Sequence, residues 1–131
     1  MTSREDMRKY AQAMIHRFDG QSPIYRIILF ENPDKEVIYI KDGKEVPSGF
    51  PDLGSEADMG FYYELEDAIH AMNVNACDIW ETCYNAGFIV CHFPGLYPHS
   101  MTSSRMYFVY DEENDGFFQQ EEPKIFKHIS F

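Results

Sequence analysis

Three cysteines and two histidines, Cys77, Cys83, Cys91, His92 and His99, fall within 23 positions of one another. Thiolates and imidazoles bind zinc, and a thiolate beside an imidazole base is a nucleophile. Structural zinc sites present their ligands as close pairs, C-x2-4-C or H-x3-5-H, whereas the spacing here is C-x5-C-x7-C-H-x6-H. Taking "NAG" at 85–87 as a hairpin loop sets Glu81 opposite Cys91 and Cys83 opposite Ile89, so Cys83 and Cys91 share a face that His92 does not. This geometry splits the best ligand pair and predicts buried, reduced thiols with no metal and no cofactor. Apolar mid-strand surroundings also raise a thiol pKa, which disfavours a cysteine nucleophile. Ser103 and Ser104 lack the glycine elbow of a hydrolase serine, and neither a phosphate loop nor G-x-G-x-x-G is present. With no catalytic constellation legible, the chain reads as a non-enzyme.

The same register places Trp80, Tyr84, Phe88 and His92 on one face, with Tyr97 in the following loop as a rim. An aromatic face carrying one titratable group is either a small-ligand pocket or core beneath a helix, and core is the commoner outcome.

A different chemistry is offered by "DEENDGFFQQEE" at 111–122, which holds six carboxylates, no base and two adjacent phenylalanines. Asp111, Glu112, Glu113, Asp115, Glu121 and Glu122 are candidate partner-binding residues, with Glu56 and Asp58 contributing from a second acidic stretch and Phe117 as apolar anchor. Pairing Asp111 with Gln119, Glu112 with Phe118 and Glu113 with Phe117 would turn the phenylalanines to opposite faces, one to serve as anchor and the other as core. Acids at a hairpin tip also discourage strand addition by other molecules.

The chain carries a net charge of −11, concentrated in residues 31–67 (net −8) and 106–122 (net −6). Such a surface repels nucleic acid and anionic lipid and attracts basic partners. The expectation is a basic protein partner, in its sharpest form a nucleic-acid-binding protein whose cleft accepts carboxylates in place of phosphates. Direct binding of nucleic acid or membrane is not expected. An immunity or antitoxin-like partnership with a basic protein, or a small ligand in the aromatic hairpin, are the alternatives.

These residues need elements to hold them. Met7, Tyr10, Ala11, Met14, Ile15 and Phe18 recur at helical spacing, predicting an amphipathic helix over about 3–18 with Thr2 and Glu5 as a capping box. "IYRIILF" (24–30) and "EVIYI" (36–40) read as a hairpin at the centre of a sheet, turned by "NPDK". Residues 41–60 read as a mobile acidic loop, with "KDGKEV" extending the hairpin locally. "YELEDAIHAMN" (63–73) is a second helix with Leu65, Ala68, Ile69 and Met72 inward and Glu64, Asp67 and Ala71 outward. Two hairpins turned by Asn-x-Gly and a short helix from Pro123 complete the chain. The order predicts one α+β domain over 1–131, with an antiparallel sheet of about six strands and helices covering its faces. No apolar run could span a membrane and no secretory leader is legible, so a cytoplasmic protein is expected.

The second half, from about 61 to 131, resembles short acidic proteins of mobile genetic elements in Gram-positive gut bacteria. The resemblance rests on "CYNAGFIVCHFPGLY" (83–97), "RMYFVYDEE" (105–113) and "GFFQQEEPKIFKH" (116–128). It carries no functional residue over. It does imply a class in which small acidic inhibitors of host defence nucleases occur, some of them mimics of DNA, as in anti-restriction and anti-CRISPR proteins.

Overall fold

In the computed structural model, residues 2–15, 17, 20–31, 35–53, 56–74, 76, 84–93, 104–126 and 129 are described. Helix α1 (Arg4–Ile15) begins at a reciprocal cap: Ser3 Oγ accepts from Asp6 N at 3.1 Å, and Asp6 Oδ2 accepts from Ser3 N at 3.0 Å. The capping box therefore lies one residue beyond the Thr2–Glu5 pair expected. Met7 and Ala11 are buried, with Tyr10, Met14 and Ile15 packed beside them, as the helical spacing requires. Helix α2 (Leu65–Asn73) buries Leu65, Ala68, Ile69 and Met72, and also Ala71, which was expected outside. Arg4 and Arg8 of α1 reach Glu66 of α2 at 2.9 and 2.7 Å, exposed pairs that add little stability.

Among the described residues seven strands follow in chain order: β1 (Ile24–Phe30), β2 (Lys35–Lys41), β3 (Lys44–Asp52), β4 (Glu56–Tyr62), β5 (Ala86–His92), β6 (Arg105–Asp111) and β7 (Gly116–Gln120). Five form one antiparallel sheet in the order β4-β1-β5-β6-β7, and β2 and β3 form a separate two-stranded ribbon. The architecture is α+β, with seven strands in two sheets where about six in one were expected.

Several pairings differ from the sequence reading. Strand β1 does not pair with β2; it lies between β4 and β5. Asp42 and Gly43, at φ 52° and 74°, make the tight two-residue turn that commits β2 to β3. Residues 41–60, expected as a loop, thus supply β3 and much of β4.

The "NAG" at 85–87 is not a hairpin loop. Ala86 and Gly87 are strand residues, and β5 is flanked on both edges, by β1 over 86–92 and by β6 over 86–90. Ile89 is flanked by Ile27 and Met106, so the register built on that loop falls. Gly87 is glycine for another reason. A Cβ there would stand 2.5 Å from Ile28 O and 2.6 Å from Leu29 Cδ2.

Two layers of core flank the main sheet. One face packs Tyr25, Ile27, Leu29, Ile89, Cys91, Met106, Phe108 and Phe117 against both helices. The other gathers Ile28, Phe30, Phe88, Val90 and Tyr107 around Phe126, from the C-terminal 3-10 turn Lys124–Phe126. Both α-helices therefore cover the same face, and the chain's last segment covers the other. No helix among the described residues is long and apolar enough to cross a membrane.

Candidate functional site

The acidic run folds back on itself, because it spans the end of β6, the β6–β7 turn, and all of β7. Its register is Val109↔Phe118, Tyr110↔Phe117 and Asp111↔Gly116, three positions away from the pairing expected. The turn occupies 112–115, and Asp115, at φ 51°, takes the left-handed position that a glycine usually fills. Side chains stabilise this choice. Asp111 Oδ1 accepts from Glu113 N at 3.0 Å, Asp111 Oδ2 accepts from Asn114 Nδ2 at 2.7 Å, and Asp115 Oδ1 accepts from Tyr110 Oη at 2.6 Å. Gly116 is buried where a Cβ would meet Asn73 Oδ1 at 2.8 Å, and that same oxygen accepts from Phe117 N at 2.9 Å.

The register decides between the phenylalanines. Phe117 is 3% exposed in the core beneath the helices, so it cannot anchor a partner. Phe118 is 45% exposed, opposite Val109, and is the side chain available to one. The sequence reading named Phe117 as the anchor; alternation with the core gives that place to Phe118.

Strand order reveals a second relationship. One cross-sheet row runs Glu56, Phe30, Ala86, Val109, Phe118. Glu56 therefore stands at the same end of the sheet as the β6–β7 turn, four strand spacings or ~19 Å away. Glu31, which follows Phe30, lies at this end as well, and only the sheet order could have shown it. Six carboxylates (Glu31, Glu56, Asp111, Glu112, Glu113 and Asp115) border this end, or about one charge per ~3 Å, comparable with the one per ~3.4 Å of a single nucleic-acid strand. Their field is felt locally. The bond to Asp115 holds the Tyr110 phenol above its ordinary range, with Asp115, Glu112 and Asp111 adding to the rise. Asp111 is held below the usual carboxylate range by the bond from Asn114, so it stays charged.

Three of the sequence candidates do not belong to this end. Glu121 follows β7, a strand length from the turn. Glu122 is turned inward, bound through both oxygens to the buried Arg105 at 2.6 and 2.8 Å. Asp58 is engaged by Arg26, whose Nε and Nη2 reach Asp58 Oδ2 at 3.2 and 2.7 Å.

The described residues of the expected aromatic pocket do not come together. Phe88 is fully buried between Phe30, Tyr107 and Phe126, with the Arg105 guanidinium 5.1 Å from its ring centroid. Tyr84 packs in the opposite core layer, against the helices. His92 Nδ1 lies 3.5 Å from Arg26 Nη1, at the far end of β5. Trp80 and Tyr97 lie outside the described residues, as do Cys77, Cys83 and His99. Cys91 is a buried free thiol, and burial pushes it up to about 12, far from the thiolate a nucleophile requires. Among the described residues no group of three or more His, Cys, Asp or Glu side chains is placed to hold a metal ion.

Comparison of the chain with protein-family models, with curated proteins and with solved structures returns no match, and so no enzyme family.

Proposed function

We propose that the chain is a non-enzymatic binding protein whose acidic sheet end engages a basic protein partner, the partner's own ligand being nucleic acid. One observation carries the reading: the fold brings the β6–β7 turn, Glu56 and Glu31 to one end of the sheet and leaves Phe118 exposed beside them. Carboxylates at that density steer a basic cleft, and a half-exposed ring supplies the apolar contact that charge alone lacks. Residues 106–122 contain no lysine or arginine to offset them. In this reading Glu56, Glu112 and Glu113 stand in for phosphates, with Asp111 and Asp115 both shaping the turn and adding charge. Inhibition of a nucleic-acid-binding or defence protein, of the anti-restriction or anti-CRISPR kind, is its concrete form.

The test is retention of host proteins from nuclease-treated lysate on the immobilised chain, followed by elution with salt and, separately, with a DNA oligonucleotide. The reading expects a DNA-binding protein that both eluants release, and that Glu56→Gln, Glu112→Gln and Glu113→Gln together fail to retain. A captured protein that the triple variant holds equally well overturns it. Release by salt but not by DNA favours an antitoxin-like partnership instead.

A further inference from the structure

The β2–β3 ribbon is separate from the main sheet: β3 meets the 3-10 turn and buries Pro51, while β2 keeps its apolar side chains exposed. Val37, Ile38, Tyr39, Ile40 and Phe50 are each between 43% and 67% exposed, and a two-stranded hairpin alone in water is at best marginally stable. Its charge also sets it apart. Residues 35–52 carry three lysines against four carboxylates, a net of −1, so nearly all of the chain's −11 lies elsewhere.

The two edges of the ribbon are unequal. A two-residue turn makes Lys41 and Lys44 a hydrogen-bonded pair, and alternation makes Tyr39↔Val46 the next. Ile40↔Glu45 and Ile38↔Pro47 are then the non-hydrogen-bonded pairs, so Ile38 and Ile40 direct their backbone N–H and C=O groups outward. On β3 the corresponding outward positions are Glu45 and Pro47, and Pro47 has no N–H. Beyond it the register shifts through Gly49, at φ 78°, to Pro51 opposite Glu36. Proline and a bulge close an edge against further strands. Strand β2 is the open edge.

We propose that this edge pairs antiparallel with the same edge of a second copy, giving a twofold dimer joined through β2. A twofold axis requires a register centred on one residue, and centring on Ile38 continues the rows of the ribbon across four strands. Pro47 and Ile38 run into Ile38 and Pro47 of the second copy on one face. Val46 and Tyr39 run into Val37 of the second copy on the other. The four exposed apolar residues of β2 lie within the paired segment. The ribbon has one open edge, so pairing exhausts it and assembly through β2 stops at two. Charge favours this occupant as well: a basic partner finds little here to steer it, whereas two strongly acidic copies meet at a nearly neutral surface.

The test is sedimentation of the full chain across a wide range of concentration and salt. The expected result is a monomer–dimer equilibrium that strengthens as salt screens the like-charged copies, the reverse of the salt response expected of the acidic end. Ile38→Lys should weaken dimerisation by about a hundredfold, because it places two like charges side by side on the axis. Lys41→Glu should tighten it severalfold, because Lys41 falls opposite Lys35 of the second copy in this register. Hydrogen exchange on the unmodified chain supplies a readout that needs no variant: the Ile38 and Ile40 amides are protected in a dimer and exchange freely in a monomer. A monomer at every concentration, a dimer indifferent to both substitutions, or unprotected Ile38 and Ile40 amides in a dimer would each overturn the proposal.

Discussion

Arg105 and Glu122 are seventeen residues apart in the chain and meet as a two-point ion pair, Nε to Oε1 at 2.6 Å and Nη2 to Oε2 at 2.8 Å. The Arg105 side chain is 1% exposed and that of Glu122 18%. The same guanidinium donates to Phe126 O at 2.8 Å and to Ile129 O, so one side chain on β6 holds the segment that covers the second core layer. Removing one partner from a buried pair leaves the other charge uncompensated. Glu122→Gln should therefore cost about 3–5 kcal/mol in urea unfolding, while Arg105→Met with Glu122→Leu should cost much less. Equal losses in the single and double variants would show that the pair does not act as a unit. Glu122 is thus a stability residue, although it stands in the acidic run.

The two phenylalanines of that run should part company in the same assay. Phe117→Ala opens a cavity beneath the helices and should cost about 3–5 kcal/mol. Phe118→Ala removes a half-exposed ring and should change stability by about 1 kcal/mol or less, while lowering affinity for any partner of the acidic end. A similar cost at both positions would contradict the Tyr110↔Phe117 register.

Gly87 makes a sharper test of the sheet. Gly87→Ala should destabilise by about 2–3 kcal/mol or more, because the contacts it would make are with the backbone of β1, which cannot step aside. A glycine in a surface turn at negative φ would tolerate the same change. Thermal unfolding that is unaltered in Gly87→Ala would restore the turn assignment.

What the sequence made legible was local. The spacing of Met7, Ala11 and Met14 found α1, and the Leu65, Ala68, Ile69 and Met72 stripe found α2, while the tight turn at Asp42-Gly43 was read only as a local extension of an earlier hairpin. What it concealed was which distant segments pair. Nothing in "IYRIILF" says that its neighbours are 56–62 and 86–92 rather than the next strand, because pairing energy is shared across positions far apart in the chain. Glycine misled in a specific way: at 87 it permits close approach of a neighbouring strand, not a turn, and at 116 it makes room for Asn73 while Asp115 takes the left-handed conformation. The apolar run Val37–Ile40 reads as buried by composition, yet lies exposed on a ribbon separate from the main sheet. For the candidate site, the acids of the turn were visible, but the placing of Glu56 and Glu31 at the same end of the sheet needed the strand order.

Tyr25 and Cys91 face each other across β1 and β5, and burial pushes both up to about 12, from ordinary values of 10.0 and 9.0. The sign of the consequence follows from proton counting. Above the unfolded pKa the unfolded chain releases its proton while the folded chain keeps it, so the folded state binds more protons and stability falls as pH rises. Stability should be fully present below about pH 9 and should decline between about 9 and 12, at up to about 1.4 kcal/mol per pH unit for each proton retained. Cys91→Ala has its own cavity cost, but it should move the onset of the decline from near pH 9 toward pH 10, where the raised tyrosines, Tyr25, Tyr10 and Tyr110, begin to act. Urea midpoints measured across the alkaline range in both proteins decide the matter. An unmoved onset would mean that Cys91 ionises as readily in the folded chain as in the unfolded one, and that its place among Tyr25, Tyr10 and the helices is wetter than the packing of that core layer describes.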